Sequence, residues 1–176
     1  HTDPVGLLLS HRADWAIVSD VEQNDDVLFK PLFSYEMVGI CSKDHPLANK
    51  EVWQAEDFAE ETWVTYPVPD DMLDLYRQVL KPKGINPPRR TTELTIALIQ
   101  LVASRRGIAT VPYWAALPYL EKGYVVARKI TEEGLYSNLY AAIRKEDANL
   151  AYIEDFHQTV KAQSFSTLPG LSVLEL

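Results

Sequence analysis

The chain has 176 residues, of which 47% are hydrophobic and 24% are charged, and its formal net charge is −8. This composition is typical of a folded globular protein and excludes the disordered, collagen-like and coiled-coil classes. Because acidic residues outnumber the scattered lysines and arginines, the chain by itself should repel nucleic acid.

The single cysteine and the hydropathy pattern indicate the cellular compartment in which the protein is expected. Cys41 lies in an apolar run, which predicts a buried thiol in a reducing compartment rather than a reactive one. No apolar run reaches the length of a membrane span, and the N-terminus lacks a secretion signal. We therefore expect a cytoplasmic protein with no membrane partner, unless a leader has been removed.

Hydrophobic periodicity and the positions of proline and glycine predict alternating helices and strands. The expected elements are a helix over 5–12, strands over 14–19, 27–33 and 34–42, a weak helix over 56–59, a strand over 62–66, an amphipathic helix over 71–81, an extended stretch over 89–92, a helix over 94–106, a strand over 108–112, a helix over 114–122, strands over 124–130 and 135–144, and a helix over 148–165. The continuous apolar run at 14–19 is typical of a strand covered on both faces, as in a parallel sheet. Pro31 is expected to interrupt the extended residues on either side of it.

Helices that alternate with strands favour an α/β fold. A helix ending in Ser10-His11-Arg12 and a helix ending in Ser104-Arg105-Arg106 are each followed by a buried strand, which suggests two similar lobes with a cleft between them. We expect residues 1–60 and 145–176 to form the first lobe and residues 61–144 the second. The first lobe lacks a leading strand and helix and should be incomplete at its N-terminus.

Two motifs carry a family resemblance. One is the turn His45-Pro46-Leu47-Ala48 after a strand, and the other is the pattern V-A-x-x-x-G-I-A-x-x-P from Val102 to Pro112. Together they resemble the effector domain of LysR-type transcriptional regulators. The resemblance implies a fold like that of type 2 periplasmic binding proteins, with two Rossmann-like lobes and a small-molecule effector in the cleft.

Further segments resemble one branch of that family, the regulators of methionine biosynthesis. These are Tyr66-Pro67-Val68, the helix end from Leu80 to Gly84, Pro112-Tyr113-Trp114 and the stretch from Gly134 to Arg144. The resemblance implies homocysteine as the effector, self-association to a dimer or tetramer, and operator DNA bound through an N-terminal winged helix-turn-helix domain that is absent from this chain. It also implies that His1 and Thr2 line the cleft, although His1 could equally belong to a tag.

The ends of the predicted strands give candidate effector contacts, because ligands of open α/β sheets bind beyond the carboxyl ends of the strands. These candidates are Ser19, Asp20, Tyr66, Val68, Thr92, Glu93, Thr95, Pro112, Tyr113 and Trp114. A carboxylate of the effector would suit the helix start expected at 92–95, where backbone N–H groups are unpaired. Thr92 is interpreted either as the helix cap alone or as a cap that also contacts the ligand.

Other candidates also have two interpretations. Asp20 or Glu93 would neutralise an ammonium group, or would simply be solvated. Tyr66, Tyr113 and Trp114 would pack on the apolar chain of the ligand, or would belong to the core.

Catalysis and cofactor binding are not indicated by the sequence. There is no G-x-S-x-G elbow and no glycine-rich phosphate loop, and the four histidines lack the spacing of a metal site. His45 is instead expected to shape the turn before Pro46. We therefore expect no cofactor, no metal and no enzyme. The alternative function is a solute-binding protein of an amino-acid transporter, which uses the same kind of cleft but needs a secretion signal.

Overall fold

The computed structural model describes residues 3–175. Its α-helices are α1 (Pro4–Leu9), α2 (Thr95–Ala103), α3 (Tyr113–Glu121) and α4 (Ala151–Thr167). Its strands are β1 (Ala16–Val18), β2 (Val27–Cys41), β3 (Val52–Trp53), β4 (Trp63–Thr65), β5 (Arg89–Thr91), β6 (Ile108–Pro112), β7 (Val126–Ile130), β8 (Leu135–Arg144) and β9 (Leu171–Ser172). This mixture confirms the predicted α/β class. None of the helices within residues 3–175 is long and apolar enough to cross a membrane.

The chain forms two compact units, which are residues His1–Tyr35 with Ser137–Leu176, and residues Glu36–Tyr136. This division differs from the boundaries predicted at residues 60 and 144. At the first boundary, the reason is the segment between β2 and β4, which buries Trp53 and Phe58 in the same apolar cluster as Ile130. That packing ties residues 46–58 to the second unit rather than to the first.

The sheet of the second unit has apolar clusters on both faces. β4 pairs in parallel with β5 and with β6, whereas β2 pairs antiparallel with β6 and β7. Side chains alternate between the faces, so that Trp63 and Ile108 join one cluster and Val64 and Ala109 join the other. We call these the Trp63 face and the Val64 face; α2 and α3 pack on the Val64 face.

Cys41 and His45 have the structural roles expected from the sequence. Cys41 is buried in the second unit, and burial raises the pKa of its thiol to about 11, so the thiol is protonated at neutral pH. His45 Nδ1 accepts a hydrogen bond from the backbone N–H of Leu47 at 3.1 Å, and Nε2 lies 3.1 Å from Glu61 Oε2. His45 thereby shapes the turn that precedes β3.

In the first unit, β1 differs from its prediction. It pairs antiparallel with β8, with Ala16 opposite Ala142, and the side chain of Ile17 is half exposed. The prediction of a parallel strand covered on both faces was therefore wrong for the described residues. Val18 does turn inward, where it joins Val5 and Leu8 of α1 in an apolar cluster.

The residues around Pro31 form one strand, not two. β2 runs without a break from Val27 to Cys41. The predicted interruption was wrong because the fixed φ of proline suits an extended backbone, so Pro31 removes a hydrogen-bond donor without ending the strand.

The helix predicted over 71–81 was also only partly right. The segment contains 3-10 turns at Asp70–Met72 and Lys81–Lys83 and a π-helical turn at Tyr76–Leu80. The ring of Pro82 would clash with the carbonyl four residues earlier in a regular α-helix, so the backbone changes its pitch at that point. Gly84, with φ of +67°, ends the segment.

Arg144 is a buried charged residue that connects several parts of the first unit. Its Nη1 donates to the carbonyl oxygens of Leu8 and Ala13 at 2.9 and 2.6 Å. Its Nη2 donates to Asp14 Oδ1 at 2.7 Å, and its Nε donates to Asp147 Oδ2 at 2.5 Å. The guanidinium thus joins the end of β8 to the chain that leaves α1.

Replacing Arg144 with Met should destabilise the protein by about 3 kcal/mol, because carbonyl and carboxylate groups would lose their charged partner. Urea unfolding followed by circular dichroism measures the change. Lys145→Met, at the adjacent exposed position, is the matched control and should change the free energy of unfolding by less than about 0.5 kcal/mol. Equal effects of the two substitutions would contradict the role given to Arg144.

His157 is a second buried polar residue of the first unit. It lies on α4 with its ring centroid 6.5 Å from that of Trp15, and its Nδ1 has no hydrogen-bond partner within residues 3–175. Burial, followed by the nearby charge of Lys30, lowers the pKa of His157 below the ordinary histidine value, although Glu154 opposes this shift. The folded state therefore favours the neutral imidazole.

This shift predicts a loss of stability in mild acid. The unfolded chain takes up a proton near pH 6.5 while the folded chain resists it, so stability is complete above that pH and falls as the pH drops toward the lowered pKa. His157→Phe should remove this part of the pH dependence below about pH 6.5, and His11→Gln, at an exposed position, should keep it. Urea unfolding at several pH values tests this, and parallel curves for the wild type and His157→Phe would refute it.

Candidate functional site

Three strand ends of the second unit meet at one edge of the sheet. β4, β5 and β6 run parallel, and they are followed by Tyr66, Thr92 and Tyr113 respectively. The backbone N–H of Thr92 donates to the carbonyl of Thr65 at 3.0 Å, which extends the pairing of β5 with β4 by one residue. Three of the residues that were predicted from the carboxyl ends of the strands therefore lie at a common edge of the sheet.

A hydrogen bond between two predicted residues connects the end of β4 with the start of α2. Tyr66 Oη lies 2.7 Å from Thr95 Oγ1, and either hydroxyl can be the donor. Thr95 is the first residue of α2. The ring of Tyr66 packs against the apolar cluster of the Val64 face, so its interior edge belongs to the core while its hydroxyl reaches the helix start.

The start of α2 has an unusual cap. The N-cap residue is Leu94, which has an extended backbone and a side chain that cannot accept a hydrogen bond, and no other described side chain caps the helix. The interpretation of Thr92 as the cap was wrong, because the chain stays extended for two further residues before it turns. The N–H groups of the first turn thus lack the side-chain acceptor that most helices have.

The remaining predicted residues of the second unit lie at or just after the same strand ends, but they make no hydrogen bond to Tyr66 Oη or Thr95 Oγ1 in the described part of the chain. Val68 donates its backbone N–H to the carbonyl of Tyr66 at 2.9 Å, in a tight turn after β4. Glu93 is exposed. Pro112 is the N-cap of α3, whose first two residues are the half-buried Tyr113 and Trp114.

Two other predicted residues belong to the first unit. Ser19 and Asp20 follow β1, in the first unit, where Ser19 Oγ lies 3.4 Å from Asp20 Oδ2 and both residues are exposed. His1 and Thr2 lie outside the described residues. Across residues 3–175, the His, Cys, Asp and Glu side chains form no cluster of three or more that could hold a metal ion.

Arg89 was not among the predicted residues, but its contacts support β5, one of the three strands that end at this edge. Its guanidinium lies 5.0 Å from the ring centroid of Trp63 and 5.2 Å from that of Tyr76, and it pairs with Asp70. Cation–π contacts and an ion pair thus attach the segment after β4 to β5. The sequence signal was an Arg on a short strand near aromatic residues, which does not identify partners that are distant along the chain.

Known proteins resemble this chain in sequence and in fold. A family model described as the LysR substrate binding domain matches residues 1–164. The chain belongs to this family. The α/β fold and the resemblance noted from the motifs around His45 and Gly107 are thereby confirmed.

Among curated proteins, the chain is 85% identical over all 176 residues to the HTH-type transcriptional regulator MetR of Haemophilus influenzae, of which it covers 57%. It is 35% identical over 173 residues to MetR of Escherichia coli (strain K12), a match that covers 98% of this chain and 54% of that protein. The chain therefore spans about half the length of these relatives.

A solved structure agrees with these matches. The regulatory domain of MetR from N. meningitidis superposes with a TM-score of 0.91 and 65% sequence identity, and the match covers 99% of this LysR-family chain and 81% of that one. The resemblance to the methionine-regulator branch is thus confirmed in both sequence and fold.

The Tyr66–Thr95 bond predicts a measurable coupling. Tyr66→Phe and Thr95→Val should each destabilise the protein by about 1 kcal/mol, because each removes one partner of the same hydrogen bond. The double variant should lose less than the sum of the two losses, and urea unfolding of all four proteins measures the difference. Thr92→Val, which keeps its backbone bond to Thr65, is the control, and additive losses for Tyr66 and Thr95 would contradict the bond.

Proposed function

We propose that this chain is the effector-sensing part of a LysR-type transcriptional regulator of methionine biosynthesis. The observation that carries the proposal is the 85% identity, over its whole length, to MetR of Haemophilus influenzae. The relatives are transcriptional regulators rather than transport proteins or enzymes, which disfavours the solute-binding alternative and a catalytic role. A regulator of this kind acts in the cytoplasm.

The rest of the regulator would supply the DNA contact. The relatives are described as helix-turn-helix proteins, and the net charge of −8 on this chain disfavours binding to a phosphate backbone. We therefore assign operator binding to the helix-turn-helix part and effector binding to this part. Self-association to a dimer or tetramer belongs to the same proposal.

We infer that the effector is homocysteine and that its carboxylate binds at the start of α2. Unpaired backbone N–H groups and the positive end of the helix dipole favour an anion there. The hydroxyls of Tyr66 and Thr95 lie 2.7 Å apart, so one donates to the other and the second is left as a further donor for the ligand. The half-buried ring of Tyr113 offers an apolar surface to the short side chain. Glu93, which is exposed and directly precedes the N-cap residue of α2, is the candidate partner for the ammonium group.

In the proposed mechanism, no bond is made or broken. The effector favours one conformation of the regulator over another, because its contacts differ between the two, and this difference changes how the regulator binds its operator. The free energy available for the change is limited to the difference between the affinities of the effector for the two conformations.

Isothermal titration calorimetry with L-homocysteine tests the effector assignment. Saturable binding is expected, and L-methionine, whose sulfur is methylated, should bind much more weakly. Tyr66→Phe and Thr95→Val should each weaken homocysteine binding about tenfold, which corresponds to the loss of one hydrogen bond. Tyr124→Phe, which removes an exposed hydroxyl just before β7, should bind like the wild type.

Two other results would change the proposal. If homocysteine does not bind but another amino acid or organic acid does, the sensing function stands and the effector is wrong. If homocysteine binds and the Tyr66 and Thr95 variants bind it as well as the wild type, the helix start is not the binding site.

A further inference from the structure

The second unit contains a cavity apart from the start of α2. It has a volume of about 250 Å³ and lies between the 3-10 turn Ala55–Phe58, the helical segment 76–83 and the turn 131–134 that joins β7 to β8. We call it the turn cavity. Its size suits a molecule of several heavy atoms rather than a single water, and it is smaller than the pockets that hold drug-sized ligands.

The turn cavity lies on a different face of the sheet from the proposed effector contacts. Its wall residues Val79 and Leu135 pack in the apolar cluster of the Trp63 face. Tyr66 and Tyr113, in contrast, pack in the cluster of the Val64 face. A ligand in the turn cavity would therefore be separated from the start of α2 by the sheet itself.

The chemistry of the lining is divided between an apolar floor and a polar rim. The floor includes the half-buried Val79 and the buried Leu135, and the exposed Pro82 adds a third apolar residue to the lining. On the rim, Gln78 Nε2 donates to the carbonyl of Tyr136 at 3.1 Å, which fixes the amide and leaves its oxygen as an acceptor. Such a lining suits a ligand with a short apolar chain and a polar head.

Opposite charges stand on the rim. Lys83 Nζ lies 2.9 Å from Glu56 Oε1 in an exposed pair, which a ligand carboxylate can join or replace at little cost. Glu133 also lines the turn cavity, and its carboxylate makes no ion pair or hydrogen bond to the described part of the chain. One cation and one unpaired anion are opposite in sign to the carboxylate and the ammonium of an α-amino acid.

The backbone of Thr131 is strained at the edge of the turn cavity. Its φ is +54°, a left-handed conformation that is strongly unfavourable for a β-branched residue. The hydroxyl lies 3.5 Å from the carbonyl oxygen of Gly134, too far for a strong hydrogen bond that would explain why threonine occupies the position. Strained backbone conformations of this kind cluster at binding sites.

We propose that the turn cavity binds an L-α-amino acid with a short apolar side chain. The carboxylate binds at Lys83, the ammonium at Glu133, the side chain lies on Val79 and Leu135, and the Thr131 hydroxyl contacts the polar head. The site is independent of the proposed effector site, because it shares no residue with it.

An NMR titration of the ¹⁵N-labelled chain with L-norvaline tests the proposal. Saturable shifts are expected at the amides of Val79, Thr131 and Gly134. Pentanoate and n-butylamine each carry only one of the two charges and should bind about fivefold more weakly or worse. Shifts that centre on Thr95, an absence of saturable shifts, or equal binding of pentanoate would each overturn the proposal.

Variants separate this site from the effector site. Lys83→Gln and Glu133→Gln should each weaken norvaline binding about fivefold, whereas the neighbouring Glu132→Gln should not change it. Tyr66→Phe should also leave norvaline binding unchanged, even if it abolishes homocysteine binding, so either site can fail without the other.

Thr131→Gly distinguishes a binding role from a structural one. Glycine relieves the left-handed strain, so the Tm should stay the same or rise while norvaline affinity falls. A fall in Tm together with unchanged affinity would show that Thr131 serves the fold and would remove it from the site.

Discussion

The parallel pairing of β4 with both β5 and β6 is the constraint on which the proposed effector site depends. Trp63 lies opposite Arg89 on one side and Ile108 on the other, so three carboxyl ends reach the same edge in register. A slip of one residue would turn every side chain of the slipped strand to the other face of the sheet. Tyr66 could then no longer reach Thr95. The buried ring of Trp63 opposes such a slip, because the slip would remove it from the apolar cluster in which it packs.

β5 needs support of its own because it is only three residues long and, within residues 3–175, pairs with β4 alone. The contacts of Arg89 with Trp63, Tyr76 and Asp70 supply that support from side chains rather than from the backbone. The same contacts hold the irregular segment after β4 against the Trp63 face. One arginine thus couples the strand that leads to α2 with the segment that forms one wall of the turn cavity.

The sequence predicted best those elements whose limits are set locally. The bounds of β6 and β8 were predicted at Ile108–Pro112 and Leu135–Arg144, where glycines and charged residues flank apolar runs. The sequence-based prediction failed where residues that are distant along the chain determine strand pairing or the start of a helix. The apolar run of β1 does not show that its neighbouring strand is antiparallel. The sequence around Thr92 is typical of a helix cap, but its backbone N–H donates to the carbonyl of Thr65 and extends the strand pairing instead. Short-range patterns specify elements, while pairing and helix starts depend on tertiary contacts.

The late start of α2 also links ligand binding to stability. A side-chain cap is commonly worth about 1 kcal/mol, and Leu94 cannot provide one, so a carboxylate bound at this helix start would act as the missing cap. A ligand that binds only the folded state raises its stability by RT ln(1 + L/Kd), which increases with the concentration L of free ligand. The net charge of −8 repels an anion at long range, but at physiological salt this repulsion is screened beyond about 8 Å. The local helix dipole acts at contact distance, within that limit, and would therefore outweigh the overall charge in the proposed binding of a carboxylate at this helix start.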